Sequence, residues 1–280
     1  MAPWERTPCA GSRARRAAVA LGLPCVLWTS GCGTLAGGRG WGQDATLFPS
    51  GAALRRAAVG ALRDPWTWVP AAAAAVLTVD DWDENVSDWA IENTPLFGSA
   101  DAARDASDHM RTALIGAFGA SSFATKSGEE AGDWIPAKAK GLGVGLGAVL
   151  TADFVTDKLK DETGRTRPNG TNDRSFPSMH TSQAFACAAW SWRNLDSISM
   201  SEGARTTSRV GLATLAIGTG WARIEAGEHF PTDVLAGAAL GNFITSFVHD
   251  AFLGLPATTR VGLLVDPVEG SYGVRLTWTP

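Results

Sequence analysis

Between residues 54 and 253 the apolar residues recur at helical spacing in one segment after another, and only beyond residue 260 does the period fall to two. Leu54, Ala58 and Leu62 mark a first helix, which Pro65 stops. A short apolar run at 66–79 reads as a buried helix, and another helix spans 80–92 before Asn93-Thr94-Pro95. Helical patterns resume at 99–123, 133–159, 178–192, 204–223 and 232–253, rich in Ala and Gly that permit close helix approach. Val261, Leu263 and Val265 alternate, as do Val274, Leu276 and Trp278, around a turn-rich stretch. The expected fold is all-α, a helical bundle with a small C-terminal β-hairpin.

The beginning of the chain has a different character. Arg13, Arg15 and Arg16 precede an apolar run at 17–28, followed by Thr29-Ser30-Gly31-Cys32. A charged start, a short hydrophobic stretch and small residues form the layout of an export signal, too short for a span. Small residues before a cysteine resemble a bacterial lipobox, although Thr29 stands where Leu is usual. The expected organisation is a signal peptide at 1–31, a Gly-rich tether at 32–50 lipidated on Cys32, a helical domain at 51–255 and a hairpin at 256–280. The membrane is then reached through an N-terminal lipid anchor, with the protein facing the periplasm. Gly33 after the cysteine favours the outer membrane by resemblance to sorting rules.

Composition excludes several classes. Of 280 residues 45% are hydrophobic and 19% charged, too apolar for a disordered chain. A mean hydropathy of +0.01 argues against a polytopic membrane protein. With a net charge of −4 the chain lacks a basic footprint, so nucleic acid is not an expected partner. Asp81, Asp83, Asn85 and Glu92 imitate a calcium loop, but Val86 occupies the position that needs Gly, and a solvated acidic helix is expected there.

Three clusters carry chemistry. Lys160 and Arg167-Pro168 lie seven apart at a helix end; Pro177-Ser178-Met179-His180 opens the next helix; Arg223, His229 and Asp233 follow. Fixed positive charges suit a phosphoryl group, whose transfer is dominated by charge stabilisation. Ser178 and the free N–H groups of Met179 and His180 at a helix start would face the same anion. Asp233, one turn after His229, can orient its ring.

In this order the clusters resemble the type-2 phosphatidic acid phosphatase superfamily, which includes bacterial acid phosphatases and vanadium haloperoxidases. Its pattern is Lys-x6-Arg-Pro, Pro-Ser-Gly-His and Ser-Arg-x5-His-x3-Asp. The resemblance covers roughly 140–250 and implies that family's helical bundle. It implies His229 as nucleophile forming a phosphohistidine, His180 as acid and then base, and Asp233 as orienter. Lys160, Arg167, Ser178, Met179 and Arg223 would bind phosphate, with no metal or other cofactor. The implied substrate is a phosphomonoester or pyrophosphate, on a phosphorylated lipid or a small ester. Ala222 and Met179 depart from the pattern, at its Ser and its Gly. A vanadate-dependent haloperoxidase and a non-catalytic envelope lipoprotein with a decayed site are the alternatives. His109 and His249 read as structural, Asp161, Glu162, Glu225 and Glu228 as surface carboxylates, and Cys187 as a buried hydrophobe.

Overall fold

The computed structural model describes residues 31–35, 37–255, 259–266 and 271–278. The leader up to Ser30 lies outside them, as does the centre of the expected C-terminal turn. The described helices are α1 (Gly51–Arg63), α2 (Pro65–Leu77), α3 (Trp82–Asn93), α4 (Ala100–Ala124), α5 (Ala131–Thr163), α6 (Met179–Asn194), α7 (Glu202–Glu225) and α8 (Pro231–Phe252). Beyond them Thr259–Asp266 (β1) and Ser271–Trp278 (β2) are extended and pair antiparallel, Val261 opposite Leu276.

Local chemistry sets the helix ends. Ser50, Ser99, Ser178 and Ser201 each accept a backbone N–H from the first turn of the helix they precede. Asp64 ends α1 and caps α2, where Pro65 takes the first position. Gly164, at φ 54°, closes α5 in the left-handed conformation that costs glycine nothing.

Helices α6 and α8 form the centre, with α1, α2 and α5 packed on α8 and α4 and α7 on α6. Their approach depends on glycine. A Cβ at Gly241 of α8 would lie 2.1 Å from the carbonyl oxygen of Ser182, and one at Gly237 would lie 2.6 Å from that of Ser178. This contact holds the start of α6 against the start of α8, where the second and third clusters lie.

Two expectations are corrected. Residues 32–50 are not a free tether. Trp41 is fully buried, edge-on to Trp190 at 6.1 Å, in a slot left by Gly141. Gly33 pairs with Gly128, and the Gly31 carbonyl accepts the Trp134 indole N–H. Beside them the Lys138 ammonium donates to the Ser122 and Thr125 carbonyls and the Thr125 hydroxyl, 5.1 Å from the Trp41 ring centre. A buried indole outweighs the flexibility that a Gly-rich stretch suggests.

The second correction concerns α2, expected to be buried. Trp68, Val69 and Val76 are about half exposed. So are Ile135, Leu146, Leu150 and Phe154 of α5 and Val210 and Ile217 of α7. Among the described residues α5 alone is long and apolar enough to cross a membrane, and little of its most apolar stretch is buried.

Candidate active site

The three clusters meet at one end of the bundle. Lys160 is in the last turn of α5, Arg223 in the last turn of α7, His180 in the first turn of α6 and Asp233 in the first turn of α8. His229 sits in the connection between α7 and α8.

Asp233 is fully buried and heavily bonded. It accepts from Arg165 Nη1 at 2.9 Å, Ser175 Oγ at 2.5 Å and the Phe230 N–H at 2.9 Å, the last starting α8. His229 Nδ1 lies 3.7 Å from Asp233 Oδ2, longer than a hydrogen bond, and has no hydrogen-bond partner among the described residues. Burial pushes the His229 imidazole down to about 4; Asp233 opposes the shift, and Lys160 and Arg223 reinforce it. The ring is therefore neutral at physiological pH, the form that can act as a nucleophile.

The cations face this pair. Lys160 Nζ donates to the Arg174 carbonyl at 2.6 Å, which fixes it beside Ser175, the residue that bonds Asp233. Arg223 Nη2 reaches Glu228 Oε2 at 3.1 Å, and Arg167 Nη1 donates to the same oxygen. Both arginines keep a buried Nε–H without an acceptor among the described residues. Ser178 is buried, accepts from Thr181, and donates its own N–H to the Asp233 carbonyl at 2.9 Å. Met179 is half-buried and without positive φ, so its backbone does not demand glycine. His180 Nε2 lies 2.8 Å from Asp108 Oδ1 on α4. Ala222 is fully buried. Cys32 is at the opposite end, beside Gly33 and Gly128; α5 rises ~33 Å between Lys138 and Lys160.

Several residues at the site lie outside the three clusters. Arg104, Asp108 and Arg111 form one stripe of α4 that faces the site. Their spacing of four and three residues is the trace they leave in the sequence. Asp83 is not on a solvated face: it accepts Thr232 N–H and Oγ–H and Arg165 Nη2. Glu228 and Glu225 are buried rather than superficial, because Arg104, Arg167 and Arg223 surround the first, while the N–H groups of Leu96 and Phe97 and the Trp221 indole bond the second. Asp161, paired with Arg174, and Glu162 are exposed. His109 is exposed, whereas His249 is buried edge-on to Trp190 at 5.1 Å.

Comparison with known proteins bears on this end of the molecule. A family model described as the PAP2 superfamily matches residues 141–254. The lipid A 1-phosphatase of Porphyromonas gingivalis is 39% identical over 97 residues, 34% of this chain and 20% of that protein. The probable lipid phosphate phosphatase 4 of Arabidopsis thaliana is 30% identical over an alignment of 149 residues that takes in 41% of this chain and 48% of that protein. The chain thus spans a fifth to about half the length of these relatives. A transmembrane PAP2-type phosphatidylglycerolphosphate phosphatase from Bacillus subtilis superposes with a TM-score of 0.50 at 22% identity, over 65% of this chain and 92% of that one. At that identity the likeness is one of fold.

Proposed function

Since residues 141–254 place the chain in the PAP2 superfamily, we propose that it is a phosphatase acting on a phosphorylated lipid through a phosphohistidine. The observation that carries the reading is the convergence of Arg167 and Arg223 on one anionic oxygen, that of the residue before His229. The phosphoryl group takes the anion position between these arginines and Lys160. The neutral His229 imidazole attacks phosphorus through the nitrogen not turned to Asp233, and the bond to the leaving oxygen breaks. Burial and Arg223 hold the His180 ring down to about 4 in the free protein, and Asp108 favours the imidazolium form, from which His180 gives that oxygen its proton. His180 then takes a proton from water, which attacks the phosphohistidine and releases orthophosphate and free His229. Asp108 holds His180, and Asp233 holds His229.

A lipid substrate is favoured by the apolar outer faces of α2, α5 and α7, which suit a body embedded in a membrane with the site at one face. The lipid A 1-phosphatase and the probable lipid phosphate phosphatase 4 that the chain resembles support the same substrate class. A second reading rests on the Arg-rich start and Cys32: an exported, periplasm-facing lipoprotein acylated there, with residues 256–280 as an appended hairpin. Orthophosphate release from phosphatidic acid in detergent micelles and from a small aryl phosphate tests the activity. His229→Ala should lower release from the preferred substrate by roughly a thousandfold or more. A wild-type protein inert on both panels, or a variant within about tenfold of wild type, would overturn the assignment.

A further inference from the structure

Glu228 occupies the place where the proposed phosphate should sit. Its Oε2 is shared by Arg167 and Arg223, and its Oε1 accepts Arg104 Nε at 3.1 Å. A single oxygen bridging two guanidinium groups copies what a phosphate oxygen does there. Burial opposes ionisation of this carboxyl, yet Arg223 and Arg167, with Arg104, hold it below the usual carboxylate range. It is therefore an anion at any physiological pH. The cup still has donors to spare, because the Nε–H groups of Arg167 and Arg223 are buried without acceptors among the described residues. A phosphoryl group that uses those donors meets a carboxylate a few ångströms away, and like charges at that separation repel strongly in a buried site.

Resting on the phosphatase reading above, we propose that Glu228 is an internal competitor for the phosphate-binding arginines. It holds them aligned in the empty site, yields Arg167 and Arg223 when the phosphoryl group arrives, and stays paired with Arg104. Arg104 suits that part. It is 40% exposed, in the second turn of α4, and already spans Glu228 and the exposed Asp101 at 2.6 Å, so it can follow the carboxylate outward. The consequence is a site that sheds orthophosphate readily, because Glu228 reclaims the arginines as the product leaves.

A purely structural role for Glu228 predicts the opposite sign. If the carboxylate only aligned the arginines, removing it would weaken anion binding. Calorimetric titration of the full chain with orthophosphate and with orthovanadate separates the two. Glu228→Gln should bind both about tenfold more tightly than wild type, and product inhibition by orthophosphate should tighten in parallel. Arg104→Gln should weaken binding in the wild-type background and change nothing further beside Glu228→Gln. Should Glu228→Gln fail to fold, Glu228→Asp keeps the charge one methylene short of the arginines and should tighten binding to a smaller degree. Unchanged or weaker binding in the folded variant overturns the competitor role, while wild-type phosphate release leaves the phosphatase reading intact. A wild-type protein that neither releases phosphate nor binds either anion overturns both.

Discussion

Asp83, on α3, accepts both the backbone N–H and the hydroxyl of Thr232, at 2.8 and 2.5 Å. Thr232 is the neighbour of Asp233, and Arg165 bridges Asp83 and Asp233 at 2.7 and 2.9 Å. A helix outside the three clusters thus fixes the carboxylate that lies against His229 and is proposed to orient it. Asp83→Asn keeps the shape but loses the charge that balances Arg165, which then bears on Asp233 alone. Its kcat should fall by about 10- to 100-fold, the size seen for partners behind a reacting group, with KM nearly unchanged. Steady-state kinetics checks this, and a variant altered only in KM would place Asp83 in substrate binding instead.

In the proposed reaction the state of His229 sets the acid limit. Its folded value near 4 lies below the ordinary 6.5, so the ring stays neutral until well into acid. The acid limb of kcat/KM should contain no His229 titration near 6.5 and should show one near 4. Stability follows the same shift. The unfolded chain takes up the proton first, so folding weakens as pH falls from 6.5 towards about 4. Asp233→Asn removes the charge that raises the His229 value, so its acid limb should move lower, not higher. A limb that rises towards 6.5 in that variant would contradict the pairing.

The three clusters were legible because each is short and ends or begins a helix, and because their order resembles one family's pattern; that resemblance, rather than spacing, implied that their side chains meet. The carboxylates behind them were not legible. Asp83 and Asp108 lie on helices whose acidic faces look solvated one at a time, and only packing turns those faces inward. Glu228 looked superficial for the same reason. Apolarity also failed to report exposure: α2 is as apolar as a core helix, yet Trp68 and Val76 face outward. The Gly-rich stretch before α1 misled in the other direction. Gly40 and Gly42 are there for close approach, since a Cβ at either would lie 2.2 Å from the Ser127 or Ala137 carbonyl oxygen.

That packing makes residues 31–35 and 37–46 part of the domain's stability. Trp41 fills a closed slot between Gly141 and Trp190, and no neighbour can collapse into it without moving a helix. Trp41→Ala should therefore cost about 3–5 kcal/mol, read as a lowered midpoint in urea unfolding. The site lies at the far end of α5, so activity measured well below that midpoint should be nearly unchanged. A loss below about 1 kcal/mol would mean that the segment is the tether its composition suggests.

The distance along α5 also bears on membrane attachment. Cys32 sits at the Gly128 end and Lys160 near the other, and the Lys138–Lys160 stretch between them alone rises ~33 Å, enough to cross the ~30 Å of a bilayer's hydrocarbon core. An embedded body therefore puts Cys32 and the site on opposite faces, while a body tethered through acyl chains on Cys32 holds the site away from the surface. The half-exposed Trp68, Val69, Leu146, Leu150, Phe154, Val210 and Ile217 favour embedding, because so much outward apolar surface is costly in water. Cys32→Ala separates the two arrangements. The variant should still sediment with membranes and resist carbonate extraction, since its apolar faces remain. If it appears in the soluble fraction with activity intact on a water-soluble ester, the lipid anchor is the attachment and the embedded arrangement is wrong.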